Sequence, residues 1–383
     1  MRPLKIAIAT TGRFHVLDLA RELAALGHDV AFWSIVPRSH AARFGLPPSA
    51  HRSLLPRLLP LAIAARYAGA HVAEAAGRRL LVNADLQIAR RLERCDVFIG
   101  MSGLCVESAK VARERYGARI FIERGSRHIL SQKAILDELR TRGSETSVVP
   151  GHAVERELAS YALADRISVP ALHVVQSFVD HGIAVHKLFR NPYGVDLSMF
   201  APTPAPPGPP TLLFVGTWSY QKGVDVLERA WRLLPGVRLR HVGAVGDAPL
   251  PVSAEFEHTD PVPQWRLREY YSQAHVFVQA SRQDGLSLVQ AQALACGLPL
   301  VCTDRTGGED LQRTLDDPGW IHVAPTGDAD ALANGIRAML PRALSLQGER
   351  NLLGTGRDKL SWAAYGKRYS DELDRSLSVV ALE

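Results

Sequence analysis

The chain has 383 residues, of which 46% are hydrophobic and 22% charged. That composition belongs to a folded globular protein with enough apolar mass for two cores, and it excludes a disordered or collagen-like chain. The net charge of +6 is unevenly placed: residues 36–84 carry seven arginines against Glu74, which alone equals the total.

The chain opens on a strand, Lys5–Ala9, whose apolar run is too short for a secretion signal and leads directly into the turn Thr11-Gly12-Arg13. A helix over Arg13–Leu26 and a strand over Asp29–Ser34 follow. An arginine- and leucine-rich helical region fills roughly 37–92. Within it, Leu54 to Ile63 interleaved with Arg52, Arg57 and Arg66 would form an interfacial amphipathic helix, kinked or delayed by Pro56 and Pro60. The arginines read either as a solvated face or as a contact for an anionic membrane surface or a phosphorylated acceptor. Nucleic acid fits poorly, since lysines are few and no aromatic stacking pattern accompanies the arginines. The best apolar run, Leu58 to Ala65, is cut by Arg57 and Arg66 and is too short to span a bilayer.

Alternation continues with strand Val97–Gly100, helix Glu107–Tyr116, strand Arg119–Ile122, helices over about 130–163, strand Arg166–Val169, a short helix near Gln176–His181 and strand Val185–Phe189. The stretch 201–210 holds six prolines and forms a stiff, extended linker. A second series begins at Leu212 and runs through Val237–Val242, Glu255–His258, Val276–Gln279, Leu298–Cys302 and Trp320–Val323, and helix Trp362–Ser376 closes the chain. Strands alternating with helices predict parallel sheets covered on both faces. The predicted boundaries are a first domain at 1–195, the linker at 196–210, a second domain at 211–360 and the closing helix at 361–383. Cys95, Cys105, Cys296 and Cys302 sit in apolar surroundings without CxxC spacing, which reads as free buried thiols and a cytoplasmic location.

Two segments carry chemistry. After strand Leu212–Val215, Gly216-Thr217 and a short loop lead to Lys222-Gly223 at a helix start. After strand Val276–Gln279, Asp284-Gly285-Leu286-Ser287 reads as a helix opening at Gly285, with Gln292 eight residues beyond Asp284. Free N–H groups at such starts, and a lysine beside a glycine, suit a diphosphate. Together with Asn191-Pro192-Tyr193-Gly194-Val195-Asp196 and Glu309-Asp310-Leu311, these segments resemble the family 4 glycosyltransferases, retaining enzymes of the GT-B fold. The likeness runs from about Asp165 to the C-terminus.

The resemblance implies an α/β GT-B architecture: two doubly wound Rossmann-like domains facing a central crevice, with the C-terminal helix crossing back to the first. It implies a nucleoside diphosphate sugar donor (UDP- or GDP-linked), no cofactor and no metal, and a glycan or lipid-linked acceptor of the bacterial cell-envelope type. It places Gly12, Gly216, Thr217, Lys222, Asp284, Gly285, Leu286, Ser287 and Gln292 against the donor. His128 and Arg124, in the polar run after strand Arg119–Ile122, are the catalytic candidates beside Asp284 and Lys222. The family has an arginine where Thr217 stands and glutamates where Asp284 and Gln292 stand. These departures admit a catalytically impaired sugar-nucleotide-binding homologue as the alternative. An epimerase or oxidoreductase is disfavoured, because neither Thr11-Gly12-Arg13 nor Gly243–Gly246 completes a dinucleotide fingerprint. Asp328-Ala329-Asp330 reads as helix capping rather than a metal motif.

Overall fold

The computed structural model describes residues 2–145, 148–346, 350 and 356–380. Seven strands form the first sheet: β1 (Lys5–Ala9), β2 (Asp29–Ser34), β3 (His51–Ser53), β4 (Val97–Met101), β5 (Arg119–Glu123), β6 (Arg166–Val169) and β7 (Leu188–Arg190). Their spatial order is β3-β2-β1-β4-β5-β6-β7. Six form the second: β8 (Thr211–Val215), β9 (Arg238–Val242), β10 (Phe256–Thr259), β11 (Val276–Gln279), β12 (Leu300–Thr303) and β13 (Ile321–Ala324), in the order β10-β9-β8-β11-β12-β13. Every pairing is parallel. Such sheets are buried on both faces, which explains why β8, β11 and β12 are apolar without alternation.

Strand order reverses between β1 and β4 in the first sheet and between β8 and β11 in the second. Loops diverge at such a switch point and leave a crevice beyond the carboxyl ends of the strands. Three apolar clusters hold the layers together. One lies on the outer face of each sheet, and the third runs continuously through both domains.

The closing helix, Trp362–Val380, belongs to this shared core. Tyr365, Tyr369 and Leu373, spaced at one-turn intervals, are fully buried on one stripe. Gly366 brings that helix against helix His15–Ala25, where a β-carbon would lie 2.4 Å from Cβ of Glu22. The Tyr369 hydroxyl donates to Glu123 Oε1 at 2.6 Å, and Arg368 Nε donates to Asn191 Oδ1 at 2.7 Å. The helix thus crosses back to the first domain as expected.

Two local expectations change, and one is met. The polar residues His51-Arg52-Ser53 form a short edge strand inside the region read as helical, because pairing with β2 outweighs their weak strand pattern. The helix Leu55–Tyr67 forms despite two prolines, with Pro56 in its first turn, where no N–H is missed, and Pro60 inside it. Residues 185–187 turn as a 3-10 helix before β7 instead of extending that strand.

Asp310 clamps the domains together from a buried position, accepting Leu172 N–H at 2.9 Å and pairing with Arg190. Asp310→Ala is expected to lower unfolding free energy by about 1–3 kcal/mol, since it leaves the part-buried Leu172 N–H without its acceptor. Urea denaturation measures it, and a loss under about 0.5 kcal/mol would show the clamp to be idle.

Candidate functional site

The two switch points face each other across a cleft of about 660 Å³. Glycine lets the walls meet at its floor. A β-carbon on Gly285 would lie 1.8 Å from the Gly125 carbonyl oxygen of the opposite domain, so only bare backbone fits. Beside this contact Gln283 Nε2 donates to Ser126 Oγ at 2.5 Å, and His173 Nε2 lies 3.2 Å from the Asp284 carbonyl oxygen.

Asp284 lines the cleft, and behind it Lys222, which is not among the lining residues, places Nζ 2.6 Å from Asp284 Oδ2. Lys222 ends a 3-10 turn, and Gly223 at φ +69° redirects the chain into helix Val224–Arg232. A β-carbon on Gly223 would meet the Ala280 carbonyl oxygen at 2.0 Å, so this turn seats directly on the end of β11. The lysine therefore reaches the Asp284 loop and not open solvent.

The helix expected from Gly285 begins three residues later, at Leu288, with Ser287 as its N-cap residue. Asp284 does not cap it. Its Oδ1 accepts only the adjacent Gly285 N–H at 3.1 Å, and its Oδ2 is held by Lys222. Residues 284–287 thus form a loop, and Asp284 and Gln292 are not two turns apart on one helix. No side chain caps Ser287's helix, and Leu286, Ser287 and Gln292 all line the cleft. Gln292 is buried, its amide oxygen accepting the Tyr271 hydroxyl at 3.0 Å. Its N–H₂ has no partner among the described residues.

Other expected residues are placed differently. Gly216, at φ +149°, turns the chain after β8, and Gly243 allows the close approach, since a β-carbon there would stand 2.0 Å from the Gly216 carbonyl oxygen. Thr217 is exposed, and neither it nor Gly12 is among the residues lining the cleft. Arg124 lines the cleft, but its guanidinium is engaged. Nη1 pairs with Glu157 Oε1 at 2.6 Å, and Nε and Nη2 donate to the Arg127 carbonyl oxygen at 3.1 and 3.0 Å. Arg282, bidentate to Asp225 at 2.5 and 2.6 Å, is likewise committed to the fold.

His128 does not project over the crevice. Its Nδ1 accepts Leu130 N–H at 3.3 Å as the cap of helix Ile129–Thr141. The ring is packed against Tyr161, Phe178 and His181. Burial first, then the nearby His181 and Arg124, lowers its pKa to about 4. It is a neutral core histidine.

The histidine that does reach the cleft is His15, at the start of helix His15–Ala25. Its Nε2 lies 2.8 Å from Glu123 Oε2, at the carboxyl end of β5, and its ring packs at a tilt against Tyr193, centroids 4.3 Å apart. Glu123 is buried, with its other oxygen taken by Tyr369. No local pattern could have shown this pair, because its members are 108 positions apart.

Residues 209–342 match the family model described as "Glycosyl transferases group 1". The chain is 28% identical over 213 residues to a phosphatidylinositol N-acetylglucosaminyltransferase component of Arabidopsis thaliana, a match covering 51% of this chain and 46% of that one. It is 32% identical over 168 residues to a GDP-mannose-dependent alpha-mannosyltransferase of Mycobacterium tuberculosis, covering 39% and 42%. The chain thus spans somewhat under half the length of these curated relatives. Anabaena HepE, solved in complex with UDP-glucose, superposes with a TM-score of 0.63 at 11% identity, covering 97% of this chain and all of that one. The fold is GT-B. Within the GT-B frame, Lys222, Asp284 and Gln292 lie in the segment that matches the family model, whereas His15, Glu123 and Arg124 lie outside it.

The placement of His128 is testable by acid titration. Its folded pKa lies below the ordinary value of 6.5, so the unfolded chain takes up the proton first. Its contribution is therefore complete above pH 6.5 and is lost as pH falls towards 4, by up to roughly 3 kcal/mol. His128→Asn can still cap the helix but cannot titrate, so its stability should vary less between pH 7 and pH 4.5. A slope identical to wild type in urea melts across that range would contradict this placement.

Proposed function

We propose that this protein is a glycosyltransferase that moves a sugar from a nucleoside diphosphate sugar to a hydroxyl acceptor, with retention of configuration and without a metal ion. The observation that carries the reading is Asp284, backed by Lys222 and beside the uncapped start of helix Leu288–Ala295, in a cleft that His15 lines from the other domain with Glu123 behind it. The diphosphate sits at that helix start, where backbone N–H groups and the dipole favour anions. Lys222 turns from Asp284 to the phosphates as charge develops on the leaving group, and Asp284 then accepts hydrogen bonds from the sugar hydroxyls. Gln292 directs its N–H₂ to the ribose.

On the opposite wall, His15, oriented by Glu123, meets the acceptor side of the cleft. Glu157, paired with Arg124, brings a carboxylate to the cleft lining. Arg124 holds the Gly125–Arg127 turn in place from behind and acts by positioning. Among the described residues no group of three His, Cys, Asp or Glu side chains could hold a metal. The activities for which the two relatives are named, N-acetylglucosaminyl transfer involving phosphatidylinositol and mannosyl transfer from GDP-mannose, support a sugar-nucleotide donor and a lipid-linked or polysaccharide acceptor.

Lys222→Ala should lower kcat roughly 10²–10³-fold with EDTA leaving wild-type turnover unchanged. A loss of about tenfold or less, or activity that EDTA abolishes and Mg²⁺ or Mn²⁺ restores, would contradict the scheme. Donor hydrolysis without added acceptor separates an active enzyme from a binding-only homologue.

The acceptor reading places the enzyme on the inner face of an anionic membrane. Leu59, Ile63 and Tyr67 recur every fourth residue along helix Leu55–Tyr67, are 45–75% exposed and flank Arg66. No helix among the described residues is long and apolar enough to cross a membrane, so the contact is interfacial. The wild type should float with anionic vesicles, less so as salt rises, and Leu59→Asp with Ile63→Asp should abolish flotation while free-donor hydrolysis persists. Equal flotation with neutral vesicles would favour a purely apolar contact.

A further inference from the structure

A second cavity, of about 440 Å³, opens on the outer edge of the first domain, between β3 and the helices Leu55–Tyr67 and Ala70–Arg91. Arg38, Arg52, Arg57 and Arg91 line it. Glu93 neutralises Arg52 at 2.8 Å, but Arg38, Arg57 and Arg91 have no carboxylate partner among the described residues. Arg91 holds its proton less tightly than an ordinary arginine, first through desolvation and then through repulsion from Arg57 and Arg90. An unrelieved cluster of like charge on one cavity is unfavourable unless an anion completes it.

Two buried side chains, Trp33 and His51, belong to the same lining. Trp33 Nε1 and His51 Nδ1 have no hydrogen-bond partner among the described residues, while His51 Nε2 lies 3.0 Å from Ser34 Oγ. The cavity therefore gathers three uncompensated guanidinium groups over a lining of unpaired polar side chains, and it offers no free carboxylate. We propose that it binds a phosphomonoester, carried either on a small soluble molecule or on a lipid headgroup. This goes beyond the transferase reading and does not depend on it, because none of these residues lines the interdomain cleft.

The test follows the Trp33 indole N–H resonance in the full chain, assigned by its loss in Trp33→Phe. Three probes are titrated at constant ionic strength: inorganic phosphate, glycerol 3-phosphate, and phosphatidylcholine vesicles with and without phosphatidic acid. A saturable shift is expected from at least one phosphate-bearing probe. Arg57→Gln should raise its Kd about tenfold, and adding Arg91→Gln about tenfold again, since each removes a charged donor. Both side chains are surface-accessible, and unchanged circular dichroism will show that the fold survives. A shift with the soluble probes assigns the site to a free phosphate ester, and a shift only with phosphatidic acid vesicles assigns it to a lipid. No shift with any probe, or a Kd unchanged in the double variant, overturns the proposal.

Discussion

The architecture rests on a contact of bare backbone. Gly285 lies against the Gly125 carbonyl, so the two domains meet at the cleft floor with no side chain between them. Any larger residue would force the Asp284 loop away from the first domain. Gly223 on Ala280 and Gly243 on Gly216 extend the same device through the second domain's loops. Glycine is costly in the unfolded state, and here it permits an approach no other residue allows.

Around that floor lie two hydrogen-bonded pairs, each with one member in the cleft lining, Asp284 and His15, and the other behind it. Lys222 and Asp284 hold each other from the ends of different strands, and His15 and Glu123 do the same across the first domain. Glu123 also receives the Tyr369 hydroxyl from the closing helix, so that helix helps to orient a group at the cleft. The returning helix is therefore part of the site's support as well as of the core. Asp310, with Leu172 and Arg190, fixes the domains from the side, and a ligand entering the cleft meets walls already placed.

The fold was legible in the sequence wherever burial alone decides the element. Continuous apolar runs between glycines and prolines marked β1, β2, β4, β5, β8, β11 and β12. The returning helix was legible over Trp362–Ser376, and the structure adds the buried stripe of Tyr365, Tyr369 and Leu373. Legibility failed where a partner distant in sequence decides. The helix after Asp284 starts late, at Leu288, and Asp284 instead pairs with Lys222 from another strand end. His51–Ser53 is a strand only because β2 lies alongside. His128 sits in a polar run that resembles a site loop, yet its ring faces Tyr161 and Phe178. His15 stands at an ordinary helix start and gains meaning only from Glu123, which no local pattern could connect to it.

Calorimetric titration of a bare nucleoside diphosphate tests the donor placement proposed over the second domain. Asp284→Asn releases Lys222 and removes a negative charge from beside the diphosphate, so the bare nucleotide should bind as tightly as to wild type or more so, even though turnover with the full donor falls. Gln292→Ala should weaken the bare nucleotide whatever sugar it would carry. If Asp284→Asn weakens the nucleotide while Gln292→Ala leaves it unchanged, the diphosphate does not lie at the start of helix Leu288–Ala295.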